Sequence, residues 1–216
     1  MLGVNLAGGE FGGSATPVYG KTYIYPTTQE IDYYKAKGMD VIRLPFKIER
    51  VQKTKSGSLD ATEIGRIDKV VEYAESKGVT VVLDAHNYGR AWGSLIGTGT
   101  TTNAEFAGFW GKMAATFKAD RVMFGLMNEP NVQTAAQWNL SNNAAIKAIR
   151  DAGATQKVLV PGTNWTGAHS WVSGSNDTAI GLKTVDPKNN YAFEVHQYLD
   201  SNSSGTSATA VSETTA

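Results

Sequence analysis

The sequence predicts an α/β protein built as a (β/α)8 TIM barrel, with this chain covering about the first six β/α units. Three observations carry that reading. Six short apolar, β-branched runs recur along the chain, helix-patterned segments separate them, and polar side chains gather where the runs end. Strands alternating with helices require crossover connections, and these produce a parallel sheet. A doubly wound open sheet shares the alternation, but no Gly-rich phosphate loop follows the first strand, which weakens its nucleotide-binding forms. Barrel enzymes carry their chemistry at the C-terminal ends of different strands, and Arg43, His86, Glu129 and His196 lie at or near four such ends.

The strands are expected at 2–7 (LGVNLA), 40–46 (DVIRLPF), 79–87 (VTVVLDAHN), 121–129 (RVMFGLMNE), 157–163 (KVLVPGT) and 191–198 (YAFEVHQY), each buried on both faces. Helices are expected at 27–38, opened by a Thr cap with Glu30 and stopped at Gly38, and at 60–78, with Asp60 as cap and Ile64, Ile67, Val70, Val71 and Ala74 on one face. Segments 102–118 and 134–153 repeat the pattern, and 164–190 is looser, with one short helix. A closed barrel needs about two further β/α units after Tyr198. The whole chain, 1–216, therefore reads as one catalytic domain whose C-terminal quarter is missing, with an open sheet edge after the sixth strand.

Composition narrows the partners. Of 216 residues 41% are hydrophobic and 19% charged, enough for one sizeable core. Twenty basic and twenty acidic residues cancel, with no basic cluster interleaved with aromatics, so a nucleic acid is not expected. No apolar run reaches membrane-spanning length, and MLGVNLAGGE lacks the regions of a signal peptide. The absence of cysteine removes disulfides, zinc-thiolate sites and thiol catalysis. Asn139, Asn164, Asn176 and Asn202 stand in glycosylation sequons.

The strand-end residues suggest acid–base chemistry. Glu129 stands where a buried run opens, beside apolar walls that favour a neutral carboxyl. Arg43, inside an apolar strand, needs a carboxylate partner. A metal set of Asp84, His86 and His196 is the weaker reading, because no His-x-His or His-Glu-x-x-His spacing supports it. No cofactor is expected.

The segments GVNLAGGEFG, VIRLPF, DAHNYGR, LMNEPN, NWTGAHSW and FEVHQYLDSNSSGTSATAVS, in that order, resemble glycoside hydrolase family 5, most of all its fungal retaining endo-β-1,4-glucanases. The resemblance implies a secreted parent enzyme acting on β-1,4-glucan, with Glu129 as general acid/base and Asn128 donating to a sugar 2-hydroxyl. It implies that His86 and His196 hold sugar hydroxyls, with Asn87 beside them, that Tyr198 supports the nucleophile and that Arg43 pairs with it. That nucleophile is a Glu ending a seventh strand, which this sequence does not include, so a second polypeptide carrying strands seven and eight is an expected partner. Glu10 follows strand one, and Glu194 points one layer below His196, so neither is assigned that role. Trp165, Trp171, Trp92 and Tyr88 are candidates to stack on sugar faces, Trp165 foremost. Ala210 stands where the fungal relatives carry a cysteine; removal of cysteines, a bacterial branch or an assembly of family fragments each accounts for this. A mannanase or xyloglucanase of the same family, or a non-catalytic fragment that associates with a complementary chain, are the alternatives.

Overall fold

The structure is a computed structural model that describes residues 1–13 and 16–211. The chain runs through β1 (Gly3–Asn5), α1 (Thr28–Ala36), β2 (Val41–Phe46), the single turn α2 (Ile48–Val51), α3 (Ala61–Ser76) and β3 (Thr80–Ala85). It continues through a two-residue hairpin, β4 (Arg90–Ala91) and β5 (Ser94–Leu95), then α4 (Asn103–Thr116), β6 (Val122–Gly125), α5 (Ala135–Asp151), β7 (Val158–Pro161) and β8 (Tyr191–Glu194). Between β7 and β8 lie only a tight turn at Asn164–Thr166 and a π-helical turn at Asp177–Gly181.

Local chemistry fixes the helix ends. Helices α1, α4 and α5 open on reciprocal capping boxes, Thr27 with Glu30, Thr102 with Glu105 and Thr134 with Gln137. For α3 the Asp60 carboxylate accepts from the Glu63 amide at 3.0 Å. Gly38 and Gly78 end α1 and α3 at φ +85° and +69°, a left-handed geometry that a side chain would strain.

The six predicted strands form one parallel sheet in the order β1-β2-β3-β6-β7-β8. The sheet is curled into a barrel arc, and one contact proves it. Arg43 of β2 touches Glu194 of β8 at 3.1 Å, although these strands lie four places apart, about 19 Å in a flat sheet. Only curvature brings the two inner faces that close. On the outer face, Phe106, Phe109 and Trp110 of α4 and Trp138 of α5 are fully buried against Phe124 and Val160. The two indoles also anchor strand ends: Trp110 Nε1 donates to Leu126 O and Trp138 Nε1 to Pro161 O, each at 3.2 Å. These bonds hold the chain just past β6 and the end of β7.

Two expectations are corrected. The strands stop earlier than predicted, β3 at Ala85, β6 at Gly125 and β8 at Glu194, so His86, Asn87, Asn128, Glu129, His196 and Tyr198 occupy loops beyond the ladder. The chain turns sharply there, with Glu129 at φ +46° and Tyr88 at φ +55°. Burial on both faces fails for β1 and β8, which pair on one side only among the described residues, leaving Leu2, Phe193 and Val195 exposed. Among the sequons, Asn139 and Asn176 are buried and donate to Lys183 O and Thr163 O, so neither side chain can carry a glycan. No helix among the described residues is long and apolar enough to cross a membrane.

Candidate active site

A line of alternating charges crosses the mouth of the arc. Asp84, on β3, is fully buried, and its Oδ2 faces Arg43 Nη1 at 3.0 Å and His86 Nδ1 at 2.7 Å. Arg43 reaches outward from β2, with Nη2 donating to Asn128 Oδ1 at 2.7 Å and to Glu194 Oε1 at 3.1 Å, and Nη1 to Asn5 Oδ1 at 3.2 Å. The same Glu194 oxygen faces His196 Nε2 at 3.1 Å, and His196 Nδ1 faces Glu129 Oε1 at 2.7 Å. The order is carboxylate, guanidinium, carboxylate, imidazole, carboxylate.

This arrangement sets the protonation states. Burial pushes the Asp84 carboxyl up, against the pull of His86 and Arg43. Burial acts on Glu194 in the same sense, but His196 and Arg43 outweigh it and hold that carboxyl below its ordinary range. For His196 burial opposes the charge, yet its hydrogen bonds to Glu129 and Glu194 raise it to about 9. Burial and the nearby Glu129 and Asp84 charges raise the Tyr88 phenol.

Two hollows meet at Glu129. One, of about 480 Å³, is lined by Asn5, Arg43, His86, Tyr88 and Asn128. The other, of about 410 Å³, is lined by Trp165, Gly167, His169 and Asn202–Ser204. Glu129, His196 and Tyr198 line both. Two loops shape the second hollow. Trp165, 57% exposed, sits in a run of three residues at positive φ, Asn164 at 52°, Trp165 at 55° and Thr166 at 53°, and its amide donates to Pro130 O at 3.0 Å. Opposite, the Asp200 carboxylate gathers the amides of Gly205, Thr206 and Ser207 at 3.0–3.1 Å and so shapes the loop bearing Asn202–Ser204. That loop is the Ser/Thr-rich tail of the sequence; residues 212–216 lie outside the described part.

The structure brings Arg43, His86, Asn128, Glu129, His196, Tyr198 and Trp165 together around these hollows. It does not bring Asn87. That side chain is buried and turned behind the site, accepting from the Ile48 amide at 3.0 Å and donating to Glu49, so it ties the end of β3 to α2. Trp92 likewise packs on the core and donates to Gln52 O at 2.7 Å, and Trp171 packs on Phe193. Arg43 finds its carboxylates within the chain, in Asp84 and Glu194. The suggested metal set is not assembled: His86 bonds Asp84, whereas His196 bonds Glu129 and Glu194.

Asn5, Glu194 and His169 were missed as site residues. Asn5 was findable, since a polar residue interrupts the first apolar run, and it lies in register with Arg43. Glu194 does lie below His196, 10% exposed, but from there its carboxylate reaches the ring at Nε2. His169 stands inside the segment NWTGAHSW that carries the family resemblance, and that was the signal available for it.

The family model Cellulase (glycosyl hydrolase family 5) matches residues 3–216. The chain belongs to glycosyl hydrolase family 5. Among curated proteins this family-5 chain is similar to an endoglucanase, gh5-1, of Neurospora crassa, 41% identical over 98% of the chain and 53% of the relative. It is 39% identical to endo-beta-1,4-glucanase B of Aspergillus niger, over 99% of the chain and 63% of the relative. Among solved structures, an endo-beta-1,4-glucanase of Xanthomonas axonopodis pv. citri superposes with a TM-score of 0.94 at 43% identity, covering 98% of this chain and 69% of the other. Cel5A (EG2) of Hypocrea jecorina gives a TM-score of 0.89 at 33% identity, with 97% and 70% covered. The chain thus spans between half and two thirds of these curated relatives, and its six strands are part of a TIM barrel.

Proposed function

We propose that this chain carries the acid/base half of a retaining endo-β-1,4-glucanase. The observation that carries the reading is the position of Glu129 where the two hollows meet. An enzyme that cuts inside a polymer must hold sugars on both sides of the broken bond, and its proton donor must stand at the junction. The relatives are named as endo-β-1,4-glucanases, and the structure of XacCel5A with cellopentaose makes a β-1,4-glucan the natural substrate to test.

In this reading Glu129 protonates the leaving oxygen and later deprotonates the incoming water. Asn128, whose carbonyl end is held by Arg43, keeps its NH2 end for a sugar hydroxyl. His86, steadied by Asp84, and Tyr198 bind or orient the substrate, and Trp165 offers an exposed indole face to a sugar ring. Retention requires a second carboxylate about 5 Å from the first. Asp84 and Glu194 are both held by Arg43, so we assign the nucleophile to a seventh strand added beside β8, on a continuation of the chain or on a second polypeptide. The parent enzyme acts outside the cell, where such polymers lie.

The test is Glu129→Gln in the chain combined with strands seven and eight of a relative, followed by release of reducing ends from a soluble cellulose derivative. A loss of about 10²–10⁴ in kcat is expected from removal of a general acid. Turnover within tenfold of the parent would overturn the assignment.

A further inference from the structure

Glu194 belongs to none of the roles assigned above, yet it is anchored through both its backbone and its side chain. Its side chain is 10% exposed, and its Oε1 receives both Arg43 and His196. Its backbone is fixed as well, because Glu194 O accepts from Thr166 Oγ1 at 2.8 Å while the His196 amide donates to Thr166 O at 2.9 Å. A carboxylate held on both backbone and side chain does not swing to follow its partner. The imidazole must adapt to it.

His196 has a carboxylate at each ring nitrogen, Glu129 at 2.7 Å and Glu194 at 3.1 Å. A neutral imidazole carries one N–H and one lone pair, so with Glu194 held ionised by the Arg43 guanidinium only two proton arrangements avoid directing a lone pair at a carboxylate. Either both nitrogens are protonated and both carboxyls ionised, or Nε2–H donates to Glu194 and a protonated Glu129 donates to Nδ1. The two differ by one proton moved between Nδ1 and Glu129 Oε1. An ion pair becomes a neutral pair, and Glu194 stays ionised in both. The other charged and titratable groups around His196 are Arg43 from β2, which pairs with Glu194 and with the buried Asp84 of β3, His86 and Tyr88 from the loop after β3, and Tyr198 and His169 along the hollows.

We propose that Glu194 is a positioning residue that fixes His196 with Nε2–H toward the barrel interior, so that Nδ1 alone exchanges a proton with Glu129. The logic is that of a carboxylate holding the tautomer of a catalytic imidazole. Here the imidazole serves a second carboxyl rather than a hydroxyl. Each catalytic cycle needs Glu129 protonated at its start, and a ring with its other nitrogen pinned can return the proton at Nδ1 without turning over.

This inference rests on Glu129 as acid/base, and the experiment separates the two. The ring nitrogens of His196 are followed by long-range ¹⁵N NMR against pH in the full chain, with His86 and His169 assigned through single variants. The expected result is that Nε2 keeps its proton across the titration and Nδ1 loses its own. In Glu194→Gln the midpoint should fall by about one pH unit or more, since an ionised neighbour is lost, and Glu194→Asp should restore much of it. A neutral ring protonated at Nδ1, or a midpoint unmoved in Glu194→Gln, would overturn the proposal. If the Gln variant fails to fold, the tautomer in the unaltered chain still decides. Retained turnover in Glu129→Gln would sink the acid/base reading while leaving the His196 titration as it was.

Discussion

Strands β3 and β8 are made of similar residues and live in different worlds. Every residue of Thr80–Ala85 is buried, whereas no residue of Tyr191–Glu194 is fully buried and Phe193 is 38% exposed. Neither propensity nor hydrophobicity separates them. The difference lies in neighbours: β3 has a strand on each side and α3 on its outer face, while β8 pairs with β7 alone among the described residues. Burial is thus a property of position in the arc, and the edge is held by its polar contacts with the interior, Arg43 to Glu194 and Glu129 to His196.

The largest break in this comparison should come from the closed half. Phe124→Ala, at a fully buried site against Trp110, should cost about 3–5 kcal/mol in urea unfolding. Next comes the clamp on the edge. His196 titrates near 9 in the folded chain and near its ordinary 6.5 when unfolded, so its contribution to stability is complete below about pH 6.5 and disappears as pH rises through 9. Urea midpoints measured from pH 6 to 10 should fall over that window, and His196→Asn should flatten the fall. A smaller change is expected from Thr134→Ala, which removes the cap of α5 and should cost about 1 kcal/mol. The least should come from Phe193→Ala on the edge, about 1 kcal/mol or less by the same unfolding assay. A cost for Phe193 equal to that for Phe124 would show that the edge is covered in solution.

Much of this was legible because it is periodic or local. The six runs, the capping residues at Thr27, Asp60, Thr102 and Thr134, and the stops at Gly38 and Gly78 are written within a few residues of where they act. What could not be read is who meets whom. Arg43 finds Glu194 across 151 positions and His196 finds Glu129 across 67, and no local pattern specifies such pairs. Asn87 shows the opposite failure. It stands beside His86 in sequence, but the turn after β3 sends its amide to α2. The β4–β5 hairpin was missed because its strands are two residues long, too short to alternate, although Trp92 and Gly93 at φ +48° and +76° make the tight turn that a Gly can signal.

The left-handed run at Asn164–Thr166 places an indole on open ground by holding three side-chain-bearing residues where backbones rarely settle, at a cost of order 1–3 kcal/mol each. Glycine at 165 would relax that geometry and remove the ring in one step. If Trp165 stacks on a sugar ring as proposed, heat tolerance and ligand grip would select opposite residues at this one position, and extra stability would have to come from elsewhere in the barrel.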